Sequence, residues 1–117
     1  MKQINNLIKS FAHAFSGIAQ LLSQERNARI HVLAASLAVA MGFICGITHV
    51  EWCMIVLCIV CVISAEAINT SIERIVNIVS PEYNELAKNA KDIAAAAVLI
   101  LAMGAGVIGV LIFIPYC

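Results

Sequence analysis

Residues 50–73 read VEWCMIVLCIVCVISAEAINTSIE, and this stretch decides the fold. Its apolar run ends on Glu66, Asn69, Thr70 and Glu73, and only by including those polar residues does it reach the ~20 residues a membrane-spanning helix needs. At roughly 100° per residue, Asn69 lies about 60° to one side of Glu66, Thr70 about 40° to the other, and Glu73 within about 20°. The polar groups therefore share one stripe. An ionisable residue inside a bilayer is costly, so it faces protein or water and serves transport, catalysis or ion binding. The stripe is the candidate functional site.

Two further apolar stretches flank this one. Ile30 to Ile47 is interrupted only by His31, and Ile93 to Tyr116 contains no charge. With 62% apolar and 12% charged residues and a mean hydropathy of +0.98, too few charges remain to coat a soluble bundle. The expectation is an all-α membrane protein in a single domain over residues 1–117, with spans at about 30–47, 50–72 and 93–115. Before them, Ile4, Leu7, Ile8, Phe11, Phe15, Ile18, Leu21 and Leu22 recur at three- and four-residue steps. That pattern predicts an amphipathic helix over about 3–24, lying on the membrane surface. A cleaved signal peptide fits less well, because no uninterrupted apolar core or small-residue cleavage site precedes Glu25-Arg26.

Charge sets orientation. Lys2, Lys9, Arg26 and Arg29 precede the first span, and Arg74, Lys88 and Lys91 lie between the second and third. All seven basic residues fall on one side, which the positive-inside rule makes cytoplasmic; the N-terminus is then cytoplasmic and the C-terminus external. Trp52 and Tyr116 sit at the outer boundary. Counting from Trp52 at ~1.5 Å per residue puts Glu66 ~21 Å down and Glu73 ~31 Å down, against a hydrocarbon core ~30 Å thick. Glu66 is just inside the lipid and Glu73 at its cytoplasmic surface. This depth suits chemistry between a membrane-dissolved molecule and a water-soluble one.

Ser80-Pro81 reads as a hydroxyl cap followed by proline at a first helical position, so the third spanning helix is expected to start there. It carries Glu85, Lys88, Lys91 and Asp92 before entering the lipid at Ile93, with Lys91-Asp92 at the level of Glu73. Cys58 and Cys61 form a C-x-x-C on an apolar helix without a second ligand pair, so they read as packing rather than zinc or redox chemistry. Ala102 with Gly106 and Ala105 with Gly109 are small-xxx-small pairs that let membrane helices approach closely. Three spans are too few to enclose the polar stripe, so self-association is expected. Seven basic and seven acidic residues cancel, and nothing points to nucleic acid.

Three motifs stand in register: Glu25-Arg26-Asn27-Ala28-Arg29-Ile30-His31; Glu66-x-x-Asn69-Thr70-x-Ile72-Glu73; and Ala90-Lys91-Asp92 before the alanine-rich Ala94 to Val98. In this order and spacing, from about Ser10 to about Phe113, the chain resembles the prokaryotic diacylglycerol kinase and undecaprenol kinase family. The resemblance implies a small homotrimeric inner-membrane enzyme that transfers the γ-phosphate of ATP to a lipid alcohol. It implies Glu66 as catalytic base, Glu25 and Glu73 as ligands of Mg²⁺ on the phosphates, and Asn69, Lys91, Asp92 and the Glu82-Tyr83-Asn84 segment at the nucleotide. Glu66, Arg29 and His31 are then the residues at the lipid. Asn77 stands where relatives often have aspartate, and His13 where tyrosine is common.

The chemistry of these residue types agrees. Phosphoryl transfer needs positioning and charge neutralisation, which carboxylate-bound Mg²⁺ and a lysine supply. A lipid hydroxyl needs a base within hydrogen-bond reach. No Gly-rich phosphate loop is present, which excludes the common nucleotide-binding folds. The Glu25 to His31 string and Asn69-Thr70 resemble the undecaprenol branch; Ser80 to Leu86 is similar to the diacylglycerol branch, and undecaprenol is favoured. A proton-coupled exporter using Glu66 is the reading from another class. It has no need of Lys91-Asp92, Glu25 and Glu73 at one cytoplasmic level.

Overall fold

The computed structural model describes residues 1–117, all in four helices, a short terminal turn and their connections. Helix α1 spans Lys2–Gln24, α2 Arg26–Cys45, α3 His49–Val79 and α4 Glu85–Phe113, followed by a 3-10 turn at Ile114–Tyr116. Helices α2, α3 and α4 are each long and apolar enough to cross a membrane. At ~1.5 Å per residue the 31 residues of α3 reach ~46 Å, so α3 outruns a ~30 Å hydrocarbon core. Helix α4 pairs along α3, α2 packs on α3, and α1 touches α2 and α3 near its C-terminal end.

The ends explain the boundaries. A single extended residue, Glu25 (φ −110°, ψ 114°), separates α1 from α2. The carbonyls left unpaired at the end of α1 are met by Arg29, whose guanidinium donates to Leu22 O at 3.0 Å and Ser23 O at 3.1 Å. Helix α2 ends on Gly46 in the left-handed region (φ 63°), where glycine carries no Cβ penalty. Helix α3 opens with a reciprocal capping box: Glu51 N donates to Thr48 Oγ1 at 3.2 Å, and Thr48 N to Glu51 Oε1 at 2.9 Å.

The start of α4 differs from the expectation at Ser80-Pro81. Ser80 instead closes α3, its N–H bonded to Val76 O at 2.8 Å and its hydroxyl donating to Glu82 O at 3.1 Å. Pro81 therefore lies in the connection. Asn84, an equally competent cap, starts α4 by accepting from Ala87 N at 3.1 Å.

The apolar core lies at the α2–α3 turn, where Ile47, Ile55, Ile112 and Phe113 are buried and Trp52 and Ala38 pack against them. Trp52 covers Gly42 so closely that a Cβ there would lie 2.6 Å from its ring, and its ring stands 4.8 Å from that of Phe43. Past the middle of α3 the buried residues are polar: Glu66, Asn69 and Thr70, with buried Leu21 of α1 lining the same cleft as Thr70. Elsewhere the helices are largely uncovered. The molecule is only 21 Å thick in its thinnest direction, and a Cβ on Gly106 or Gly109 would meet nothing within 4 Å. Ile4, Leu7, Phe11, Phe15 and Ile18 of α1 are likewise exposed.

Candidate active site

Glu66 is 3% exposed, although α3 has open faces above and below it. It owes that burial to its neighbours. On α2, Ala28 is 1% exposed, and His31 one turn later places its Nε2 3.7 Å from Glu66 Oε2. Glu25 and Glu73 also lie within electrostatic reach of Glu66. Glu25 is there because the helix break puts it at the corner of α1 and α2, and Glu73 because it follows Glu66 by two turns of α3.

Asn69 and Thr70 complete the stripe at 8% and 5% exposure, yet Asn69 Oδ1 and Thr70 Oγ1 have no hydrogen-bond partner. Leaving such atoms buried and unpaired costs about 1–3 kcal/mol each. Native structures rarely carry that cost without a ligand, water or partner to relieve it. The stripe is arranged to receive something polar.

An apolar groove of about 560 Å³ opens beside this cluster, from His31 past Ala34, Ala38, Val62 and Gly106 to Phe113 at the far end of the spans. A polar, carboxylate-bearing centre thus meets a bilayer-deep apolar channel at one point. Such a junction can hold a molecule whose head is polar and whose tail is hydrocarbon.

The remaining sequence candidates are divided by the structure. Arg29 is spent on the carbonyls of α1 and does not face Glu66 through an ion pair. Glu82, Tyr83 and Asn84 lie exposed in the α3–α4 connection, with the Asn84 side chain engaged as a cap. Asp92 is exposed and pairs with Lys88 at 2.8 Å, whereas half-buried Lys91 makes no ion pair. The sequence reading missed Arg74. Its guanidinium donates to Gln24 Oε1 and lies 4.0 Å from Glu25 Oε1, clasping α3 to the α1–α2 corner. Fifty positions separate Gln24 from Arg74, and no local pattern signals that contact.

No three His, Cys, Asp or Glu side chains converge tightly enough to cage a metal. That arrangement still fits Mg²⁺, which takes one or two protein carboxylates and completes its octahedron with substrate phosphates and water. Glu25 and Glu73 are both partly exposed and both within electrostatic reach of buried Glu66, so their carboxylates are open to such an ion.

Residues 12–113 match the family described as prokaryotic diacylglycerol kinase. The chain is 40% identical over 113 residues to the undecaprenol kinase of Bacillus subtilis, covering 97% of this chain and 92% of that one. It is 34% identical over 104 residues to a diacylglycerol kinase of Sinorhizobium, covering 89% and 75%. To a diacylglycerol kinase of Synechocystis it is 32% identical over 111 residues, covering 94% of this chain and 63% of the relative. The family match takes in the second half of α1, all of α2, α3 and α4 and the whole buried stripe, and the chain belongs to the prokaryotic diacylglycerol kinase family of lipid kinases.

Proposed function

We propose that this protein transfers the γ-phosphate of ATP to a membrane lipid alcohol, undecaprenol in preference to diacylglycerol, at the cytoplasmic face of the bacterial inner membrane. The observation that carries the reading is buried Glu66 with His31 beside it, the same His31 that lines the apolar groove. The preference for undecaprenol is supported by 40% identity to an undecaprenol kinase along nearly the full length of both chains, against 26–34% for the diacylglycerol kinases.

In this reading the lipid tail occupies the groove and its hydroxyl meets Glu66. Glu66 accepts the hydroxyl proton as the lipid oxygen bonds to the γ-phosphorus and the bond from that phosphorus to the bridging oxygen of ADP breaks. His31 orients the Glu66 carboxylate. Asn69 donates a side-chain amide N–H to the arriving phosphates, and Lys91 supplies a cation at the membrane boundary. Glu82, Tyr83, Asn84 and Asp92 contact the nucleotide from the α3–α4 connection and the start of α4. Glu25 and Glu73 would hold Mg²⁺, which neutralises the phosphate charge that develops during transfer. Arg29 secures the α1–α2 corner next to the lipid head.

The active unit in this reading is a homotrimer, with α1 lying amphipathically on the inner membrane surface. The open small-residue face of α4 and the thinness of the single chain support it, because one copy leaves the groove and stripe unshielded. The test is transfer of labelled phosphate from ATP to undecaprenol and to diacylglycerol in mixed micelles. Labelled undecaprenyl phosphate as the main product supports the reading; no labelled lipid with either acceptor overturns it.

A further inference from the structure

A second, more polar cleft of about 310 Å³ lies between α1 and α3, lined by Gly17, Gln20, Thr70, Ser71 and Arg74. Thr70 belongs to it as one of the two buried residues whose polar atom has no partner. A hydroxyl in that state is a donor without an acceptor. Arg74 stands at the same cleft, one of its guanidinium nitrogens donating to Gln24 Oε1 and lying 4.0 Å from Glu25 Oε1, in an ion pair between side chains 44% and 29% exposed, which leaves its other N–H donors for a ligand. Exposed pairs of that kind contribute little and give way readily, whereas Arg and phosphate form short, bidentate, charge-assisted bonds. Gln20 now makes only a 3.5 Å contact to Ser16, and a Cβ added at Gly17 would meet nothing within 4 Å. The cleft thus has room, an amide, a free hydroxyl and a cation.

We propose that this cleft binds a phosphomonoester and holds the phosphate of the lipid product after transfer. Thr70 follows Glu66 by one turn of α3, so the new phosphate needs to move by only about one helical pitch, ~5.4 Å, to reach it. The identity of the ligand rests on the lipid-kinase reading; the cleft's affinity for a phosphomonoester does not. A retained product competes with the next lipid alcohol, which makes the cleft a brake responsive to product accumulating in the membrane.

The experiment is direct binding to the intact protein in mixed micelles, without ATP, followed by phosphorus-31 resonance broadening or calorimetry. The probes are undecaprenyl phosphate, phosphatidic acid and inorganic phosphate. Thr70→Val, Arg74→Gln and Gly17→Leu are compared with Thr70→Ser. A lipid phosphate is expected to bind, with each of the first three variants weakening it by about tenfold or more and Thr70→Ser retaining it. Because Thr70→Val removes an unsatisfied hydroxyl and Gly17→Leu removes a helix glycine, thermal midpoints hold or rise, and lost binding is not lost folding. Unchanged affinity in all three variants overturns the site. Inorganic phosphate binding as tightly as the lipid phosphates overturns its assignment to product. Since no turnover is read, these outcomes are separate from whether ATP is used.

Discussion

His31 Nε2 on α2 and Glu66 Oε2 on α3 stand 3.7 Å apart, the one contact that joins a spanning helix to the buried carboxylate through an ionisable pair. The two are thirty-five positions apart in sequence, and His31 lines an otherwise apolar groove. If Glu66 is the base, Glu66→Gln keeps the shape and much of the hydrogen bonding but cannot take a proton. Phosphoryl transfer is expected to fall by about 10²-fold or more while the assembled size is unchanged. Label transfer and sedimentation check this together, and near-normal turnover would reject the role.

Changing His31 to Ala should act more gently. In the proposed reading His31 acts on the Glu66 carboxylate, 3.7 Å away, rather than on the phosphate, so the loss is expected at about tenfold, carried mainly by kcat with the KM for ATP held. A steady-state split between the two constants decides it. A large rise in the KM for ATP would place His31 at the nucleotide instead.

For the metal, Glu25→Ala and Glu73→Ala should each lose activity and shift the Mg²⁺ requirement upward. If one ion is shared, the double variant is little worse than the worse single, because the second carboxylate has nothing left to hold. A double-mutant cycle against Mg²⁺ concentration measures this. Additive losses would mean separate tasks.

Sharing of sites between subunits can be read by complementation. Inactive Glu66→Gln and Lys91→Ala chains, unfolded and reassembled together, recover part of the wild-type rate if the two residues of one site come from different chains. No recovery would confine both to one chain. Half-buried Lys91 makes no ion pair within its own chain, which is why it is chosen.

A stability prediction concerns Gly42→Ala. The added methyl would lie 2.6 and 2.9 Å from two carbons of the Trp52 ring, and overpacking of this kind costs about 1–3 kcal/mol. The thermal midpoint in detergent should drop. An unchanged midpoint would show that Trp52 yields freely.

The spans and the stripe were legible in sequence because both follow from periodicity: an apolar run broken by Glu66, Asn69 and Thr70 at helical spacing folds into a helix that buries all three. The start of α4 was not, because Ser80 and Asn84 are both good caps and the choice depends on where α3 stops. Arg74 was read only as a positive charge, and Arg29 as one that the resemblance places at the lipid. Their true partners, the carbonyls of Leu22 and Ser23 and the side chain of Gln24, are fixed by how α1 meets α2 and α3. His31 was placed at the lipid by resemblance alone, whereas its 3.7 Å distance to Glu66 depends on how α2 packs on α3.

The corner between α1 and α2 consists of Glu25 alone. A longer linker would let the residue's backbone swing while the helices stayed put, but with one residue its Cα and the two helix axes are tied together. The angle between the N-terminal helix and the rest of the molecule is therefore coupled to where the base of that side chain stands. Whatever grips Glu25 also sets the pose of a 23-residue lever, and whatever tilts the lever loosens the grip.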